Sequence, residues 1–427
     1  MGTTRIVRGA RIFATCGAAA LVLTACGSNS GSGGGDITLT VADFGGFGYD
    51  KLIKDYEKSH PGIKVKEKVA QFDPHHQQLS TQLAAGAGAA DVVAIEEGYL
   101  PKFRQSKDKF VNLADHGADK LKDRWLPWKW EQGVTDNGKY VLGYGTDIGS
   151  LAMCYNTELF KKAGLPTDRD KVSALWTTWD DYLGVGHKFV RKVKGAGWYD
   201  TDQNLFTAIM NQTQYGFFDQ DDKFIGDTNP KVKEAFLQAG KDAKKLSAKL
   251  LAFSPQWSAG IKKGAMATIP CPSWMNGLIE TAAGKENSGK WDIAKLPGDG
   301  GNWGGSFLTV PKQGKHPKEA AELAAWLTAP EQEKRLFAEV GALPSQPALL
   351  KDPAILGKTR PFFNNAPVGK IYGDSATALQ PNYRGSRDGD IRPGFSNALI
   401  RVEQGKQSPE ASFNQAIKEA KKALKLG

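Results

Sequence analysis

The chain has 427 residues and a formal net charge of +10, with 24% charged and 10% aromatic residues. These values are typical of a folded protein with a large core and two domains. Lysine and arginine are spread along the chain rather than clustered, so we expect no nucleic-acid partner. After the N-terminal segment, no apolar run approaches the roughly 20 residues that a transmembrane helix needs.

The N-terminal residues 1–25 carry three arginines, no acidic residue and then a run of small and apolar side chains, which is typical of a secretory signal peptide. The motif LTAC, which ends at Cys26, resembles the lipobox of bacterial lipoproteins. We therefore expect Cys26 to be lipidated, and residues 26–35 to form a flexible linker between the membrane and a folded domain. The alternative is a plain secretory signal followed by an unmodified cysteine.

The next elements alternate between strand and helix. The segments DITLTVADF, IKVKEKVAQF and DVVAIEE have strand patterns, and the segments YDKLIKDYEKSHPG and HHQQLSTQLAAGAGA between them have helical spacing. This β-α-β-α-β order predicts an α/β domain with a largely parallel sheet. Ligands of such sheets bind beyond the carboxyl ends of the strands, where this chain carries DFGGFG and EEGYL.

From Lys139 a long extended stretch, KYVLGYGTDIGSLAMCYN, predicts the crossover into a second domain. Helices are predicted to dominate residues 179–264. Strands return in GAMATIPCPSW, KWDIAKLP and GSFLTVPK, and the rest of the chain is predicted to be helical.

The chain has four cysteines, of which Cys16 lies in the signal segment and Cys26 in the lipobox-like motif. Cys154 and Cys271 therefore remain as one potential pair in an oxidising compartment. Two buried free thiols are the alternative.

Catalytic patterns are missing from the sequence. No zinc-ligand spacing, nucleophile elbow, phosphate-binding lysine loop or dinucleotide fingerprint is present. We therefore expect no metal, no cofactor and no enzymatic activity. A secreted, lipid-anchored glycoside hydrolase is one alternative, because it needs only two carboxylates at a suitable separation. A surface scaffold that binds no small ligand is the other.

Aromatic residues placed beside glycines and after strands give the positive signal. Their flat faces match the C–H faces of sugar rings, and neighbouring acids and amides bind sugar hydroxyls. For each aromatic residue, core packing is the alternative. The residues in this context are Phe44, Phe47, Trp198, Tyr199, Trp274 and Trp303.

Six segments in order resemble the extracellular solute-binding family of carbohydrate ABC transporters, the wider family that includes maltose-binding protein. They are GSLAMCYNTELFKKAGLP, TTWDDYLGVGHKF, KKGAMATIPCPSWMNGLIE, KWDIAKLPGDGGNWGGSFLTVPK, HPKEAAELAAWLTAPEQEKRLFAEVGALPSQP and GKQSPEASFNQAIKEAKKAL. The resemblance implies a type II periplasmic-binding-protein-like α/β fold with a ligand cleft between two lobes. The first lobe would span 36–145 with 304–345 returning to it, and the second 146–303 with 346–427 returning.

The resemblance also implies where sugar is bound. In relatives the loop after the first strand and the acid after DVVAI contact sugar, an acid often stands in the hinge strand, and an aromatic follows in the motif NGPW. This chain has IPCPSW in place of that last motif, so the resemblance gives weaker support for a sugar-contacting aromatic at this position. The matching residues are Asp43, Phe44, Phe47, Glu96, Glu97, Asp147 and Trp274. Loop context adds Trp303, Trp198, Tyr199, Gln203 and Arg387.

The family's strands that match the positions of Cys154 and Cys271 run close together, which implies a disulfide between these residues. The predicted function is capture of an oligosaccharide, a β-linked di- to tetrasaccharide being favoured, and its delivery to the permease subunits of an ABC importer. The protein is predicted to be a monomer that is lipid-anchored on the extracellular face of the cell membrane.

Overall fold

The computed structural model describes residues 36–298 and 300–426. The predicted signal peptide, lipidation at Cys26 and linker 26–35 lie outside the described residues. No helix in the described part of the chain has both the length and the apolar character needed to cross a membrane.

Strands occur from Ile37 to Pro344 and alternate with helices in the first part of the chain. The strands are β1 (Ile37–Phe44), β2 (Ile63–Ala70), β3 (Val92–Glu96), β4 (Val134–Thr135), β5 (Tyr140–Val141), β6 (Gly143–Gly145), β7 (Asp147–Ile148), β8 (Leu151–Asn156), β9 (Gly197–Tyr199), β10 (Met266–Pro272), β11 (Trp291–Ala294), β12 (Ser306–Thr309) and β13 (Leu343–Pro344).

Helices follow the strands and dominate the C-terminal part. The α-helices are α1 (Asp50–Ser59), α2 (Phe72–Ala85), α3 (Leu100–Arg104), α4 (Pro127–Gln132), α5 (Thr157–Ala163), α6 (Arg169–Ser173), α7 (Trp179–Lys192), α8 (Asp202–Met210), α9 (Pro230–Gly240), α10 (Ala243–Leu246), α11 (Pro255–Lys263), α12 (Met275–Ala283), α13 (Pro317–Leu327), α14 (Pro330–Val340), α15 (Pro347–Leu350), α16 (Pro353–Leu356), α17 (Val368–Ala378), α18 (Asp388–Glu403) and α19 (Pro409–Leu424). Short 3-10 helices span Lys107–Lys109, Leu113–His116, Ala118–Arg124, Asp136–Gly138, Lys285–Asn287 and Pro361–Phe363.

The first lobe is built on a five-stranded sheet with the order β2-β1-β3-β12-β6. Strands β1, β2 and β3 are parallel, whereas β12 returns from far along the chain and pairs antiparallel with β3 and β6. β3 is buried on both faces because Val92 and Ala94 pack into one hydrophobic cluster and Val93 and Ile95 into another. This two-sided burial explains the continuous apolar run of its sequence.

The second lobe is built on a four-stranded sheet with the order β11-β8-β10-β9. Alternate residues of β8 again serve two clusters, with Met153 and Tyr155 on one face and Ala152 and Cys154 on the other. Helices α7, α8, α9, α18 and α19 cover the first face, and helices α11, α12 and α17 cover the second.

Cys154 and Cys271 form a disulfide between the neighbouring antiparallel strands β8 and β10, with their Cα atoms 5.7 Å apart. The bond lies in the second cluster, where the Tyr372 hydroxyl is 3.5 Å from the sulfur of Cys271 and donates a hydrogen bond to Asn276 Oδ1 at 2.8 Å. The predicted pairing is therefore present in the structure.

The chain passes between the lobes more than once. It leaves the first sheet at β6, forms the short β7, which pairs with β13, and then enters β8. It returns between β11 and β12. These crossings bring the loops of both lobes together beside the carboxyl ends of β1 and β3.

Candidate functional site: the inter-lobe cleft

The loop that follows β1 places an aromatic cluster at the edge of the first sheet. The half-buried Phe44 ring lies 5.2 Å from the rings of both Phe47 and Phe72, and 4.9 Å from His76. Asp43 is fully buried beneath this cluster. Burial and the neighbouring carboxylate of Glu67 raise the pKa of Asp43 to about 8. Asp43 thus has no exposed surface for the expected sugar contact, whereas Phe44 and Phe47 are partly exposed and also pack on the core of the first lobe.

Two buried acids stand at the end of β3. The backbone N–H of Gly98 donates to Glu96 Oε2 at 2.8 Å. Asn302, on the loop that returns from the second lobe, donates its Nδ2–H to Glu97 Oε2 at 2.7 Å. Burial and the adjacent Glu96 raise the pKa of Glu97 to about 7, so it titrates near neutrality. Burial also raises the pKa of Glu96, an effect opposed by the charge of Arg392.

Asp147 lies where the chain crosses between lobes, on β7 opposite Pro344. The Thr146 hydroxyl donates to its Oδ1 at 2.9 Å. Burial raises the pKa of Asp147, and the ammonium group of Lys129 opposes that rise. Lys129 is itself fully buried, with its nitrogen 4.2 Å from the ring centre of Phe307. A buried cation therefore balances the acids at this crossing.

Trp274 and Trp303 meet on the second lobe. The indole N–H of Trp274 donates to the carbonyl oxygen of Trp303 at 2.9 Å, and their ring centres are 6.3 Å apart. Gly149 permits this arrangement, because a Cβ atom there would lie only 1.8 Å from the Trp303 carbonyl oxygen. Phe253, 54% exposed, extends the aromatic surface at 6.1 Å from Trp274. Both tryptophans remain partly exposed.

Trp198 and Tyr199 differ from the expectation of a sugar-contacting surface. Both are fully buried in the core of the second lobe. The Trp198 ring packs against Phe160 and Tyr182, with centroid distances of 5.5 and 5.2 Å. Side chains without exposed surface cannot stack on a ligand in this arrangement, so we assign both residues to packing and leave them out of the site.

Arg387 also has a structural role in place of the expected ligand contact. Its Nη1–H and Nη2–H donate to the carbonyl oxygens of Leu424 and Ala423 at 3.0 and 2.7 Å. These bonds satisfy free carbonyl groups at the end of α19. Its side chain also pairs with Asp390 at 2.7 Å, so Arg387 is committed to neighbouring protein groups.

A different arginine, Arg392 within α18, reaches the site. The guanidinium of Arg392 lies against Gly98, since a Cβ atom at Gly98 would be 2.7 Å from Arg392 Nη2. Burial opposes its charge, but Asp388 and Glu96 raise the pKa of Arg392 above its usual value. Asp388 pairs with two arginines. Its Oδ2 atom is 3.6 Å from a guanidinium nitrogen of Arg384 and 3.6 Å from one of Arg392.

A cavity of about 420 Å³, here the cleft cavity, lies between the two lobes. Gln203, a predicted site residue, lines it and donates to the Ser396 carbonyl oxygen at 3.4 Å. First-lobe residues form one wall and residues of α8, α18 and the loop before α11 form the other. The lining residues are Phe72, Asp73, Gly98, Tyr99, Gln203, Leu251, Gly389, Arg392, Pro393, Ser396, Asn397 and Ile400.

Sequence reasoning missed Phe72, Tyr99, Leu251, Phe253 and Arg392. Phe253 has a left-handed backbone with φ of 65°, and Leu251 is 52% exposed, so both stand out only once the fold is known. Arg392 has one sequence signal, its position four residues after Asp388 in a helix. That spacing gives no indication that the side chain contacts the other lobe.

The model of the family of bacterial extracellular solute-binding proteins matches residues 51–358. An arabinooligosaccharide-binding protein of Bacillus subtilis is 30% identical over 342 residues, which cover 75% of this chain and 76% of that protein. A probable ABC transporter-binding protein of Deinococcus radiodurans is 34% identical over 411 residues, covering 87% and 90% of the two chains.

A crystal structure of an extracellular solute-binding protein of family 1 superposes with a TM-score of 0.81 at 44% identity. It covers 91% of this chain and 99% of that chain. The likeness confirms the predicted two-lobe fold.

Proposed function

Because the chain belongs to the family of bacterial extracellular solute-binding proteins, we propose that it binds a neutral oligosaccharide in the cleft between its lobes and presents it to an ABC importer. The observation that carries the proposal is the cleft cavity with polar and aromatic groups from both lobes around it. In the cavity itself Gln203 and Arg392 supply hydrogen-bonding groups, and Phe72 and Tyr99 supply flat apolar faces. We propose that Trp274 and Phe253, which lie 6.1 Å apart on the second lobe, extend this sugar-binding surface.

The similarity to an arabinooligosaccharide-binding protein makes arabinose oligomers the first ligands to test, together with β-linked di- to tetrasaccharides. Carboxylates and amides at the ends of β3 and β12 suit ligands with many hydroxyl groups. Family membership supports binding over hydrolysis, which was one alternative left by the sequence.

We further propose that the lobes, with the boundaries expected above, close around the sugar and that the permease recognises the closed state. Cys26 would hold the mature protein on the extracellular face of the membrane through a lipid, as a monomer. Cys26→Ser should release the protein from the membrane fraction and leave sugar affinity unchanged. Retention of this variant in the detergent phase would rule out the anchor.

Calorimetry with arabinotriose, cellotriose and chitotriose tests the binding proposal. Trp274→Ala should weaken binding of the recognised sugar by about 2 kcal/mol, because it removes a stacking face from the cleft. Trp326→Ala is the matched control, since Trp326 is a partly exposed tryptophan on α13 of the first lobe, packed on Tyr56 at 5.1 Å. No heat of binding with any sugar, or release of reducing ends on incubation, would contradict the proposal.

A further inference from the structure

A second cavity lies on the flank of the second lobe, outside the cleft. It has a volume of about 750 Å³ and shares no lining residue with the cleft cavity. The end of α8, residues 211–215, the start of α9 and Gln380 enclose it, and we call it the flank groove. Its volume lies within the range of about 300 to 1,000 Å³ that is usual for small-ligand sites.

The side chains that line the flank groove are mostly neutral and hydrogen-bonding. Among the described lining residues, Lys231 and Glu234 alone carry charge, and they pair with each other at 3.0 Å. The polar neutral residues are Gln212, Thr213, Gln214, Thr228, Asn229, Gln238 and Gln380. The groove therefore lacks the net charge that a phosphate or a metal ion would require.

The wall of the groove is held in place by its own hydrogen bonds. Asn229 donates its Nδ2–H to the carbonyl oxygens of Tyr215 and Gly216, both at 3.0 Å. The Thr213 hydroxyl donates to the Met210 carbonyl oxygen at 2.7 Å. The backbone that carries the Tyr215 ring is thus fixed before any ligand binds.

Other polar groups on the groove remain available. In the part of the chain that the structure describes, the side chains of Gln214, Gln238 and Gln380 form no hydrogen bond. An amide both donates and accepts, as a sugar hydroxyl does, so three such amides can pair with a polyhydroxyl ligand without a charge mismatch. The partly exposed ring of Tyr215 lies in the same groove and offers an apolar face.

From this geometry we propose that the flank groove is an accessory binding site for neutral saccharide, distinct from the cleft. The groove also adjoins the segment that leads into α18, because Asn382 donates to the Thr213 carbonyl oxygen at 2.6 Å, and α18 lines the cleft cavity with Gly389 and Arg392. Sugar held in the groove would increase the local concentration of ligand beside the cleft.

Calorimetry on the mature protein with arabinotriose and with soluble arabinan tests the site. The two probes show whether the groove binds a free oligosaccharide or a segment of a polysaccharide. We expect a weak millimolar site in addition to the tight cleft site. Gln238→Leu keeps the side-chain size but removes the amide, and should weaken the accessory site at least tenfold without changing the cleft. Gln332→Leu, a partly exposed helical glutamine on α14, should change neither site.

The accessory site should persist in Trp274→Ala, which weakens the cleft. Failure of the cleft proposal would remove the tight site and leave the weak one, so the two proposals are tested separately. The inference is overturned if no weak site is found with either probe, if Gln238→Leu folds and binds at the groove as the unmodified protein does, or if weak binding disappears together with the cleft site.

Discussion

Replacing Gly98 by alanine adds one methyl group at the point where the two lobes meet. The new Cβ atom would lie 2.7 Å from Nη2 of Arg392 and 3.0 Å from Oε2 of Glu96, both shorter than ordinary carbon contacts. Gly98 does not have a left-handed backbone, so alanine is compatible with its conformation. The perturbation is therefore steric, and Arg392, a flexible side chain, is the group that must move.

The expected loss of sugar affinity depends on whether the new methyl group contacts Arg392 in the open state, in the closed state or in both. Overpacking by one methyl group costs about 1 to 3 kcal/mol. If the lobes separate when the sugar leaves, the contact with Arg392 is lost, so its share of that cost falls on the closed state alone, whereas the contact with Glu96 within the first lobe remains in both states. Sugar affinity should therefore fall by about 5- to 150-fold, while the melting temperature of the sugar-free protein stays nearly constant.

Calorimetry with the recognised sugar measures the loss of affinity, and small-angle scattering measures whether the sugar-bound variant has a larger radius of gyration. Gly184→Ala is the matched control, because no atom lies within 4 Å of the Cβ position at this helical glycine. Unchanged affinity in Gly98→Ala, with the same radius of gyration as the unmodified protein, would show that Arg392 does not press on Gly98 in the closed state.

Other contacts set measurable expectations for stability. The double variant Cys154→Ala, Cys271→Ala should lose up to about 5 kcal/mol of unfolding free energy, because the bond closes a loop with a sequence separation of 117; equal midpoints in urea would contradict this. Burial and Glu403 raise the pKa of Asp202 well above 3.8. The folded state therefore holds the Asp202 proton more tightly, and stability is lost as pH rises from about 4 through the raised value. Asp202→Asn should therefore flatten the dependence of the melting temperature on pH above about pH 4; a pH profile parallel to that of the unmodified protein would count against it. Arg387→Ala should lower the melting temperature by about 2 °C with unchanged sugar affinity, since it frees the end of α19; weaker binding would restore Arg387 to the site.

Local pattern was enough to predict the sheet of the first lobe and the acids at its edge. β3 is short, apolar and followed directly by Glu96 and Glu97, and the carboxyl ends of parallel strands share one edge. The glycines on either side of Trp303 predict a loop, and Trp303 lies partly exposed in a loop between β11 and β12. These features depend on neighbours in sequence or on strand pairing.

The same signal misled the interpretation of Trp198. Glycines beside a tryptophan predict an open loop, but here glycine makes room for dense packing. A Cβ atom at Gly186 would lie 2.4 Å from the Trp198 ring, and one at Gly197 would lie 2.3 Å from the backbone nitrogen of Ala248. The sequence shows that a glycine stands beside an aromatic residue. Only the tertiary structure shows whether that glycine belongs to an open loop or makes room for a buried ring.

Arg392 could not be predicted because its contact depends on how two lobes meet. Its helix begins far along the chain from β3, and its spacing to Asp388 is satisfied within the helix alone. Burial likewise lowers the pKa of Arg104 in the first lobe, and the charges of Tyr383 and Asp222 in the second lobe oppose that lowering. Electrostatic interactions thus act between the lobes at two places.

These contacts change how sugar affinity should be interpreted. A ligand shifts the closure equilibrium only by its difference in affinity between the open and closed states. Contacts such as Arg392 with Gly98 and Glu96 stabilise the closed state in the absence of sugar, so less of the binding free energy is needed to close the lobes. Residues that join the lobes therefore contribute to affinity through closure, in addition to any contact they make with sugar, whereas Trp274 contributes by direct contact alone. Scattering on the sugar-free protein separates the two classes, because only the first class alters its radius of gyration.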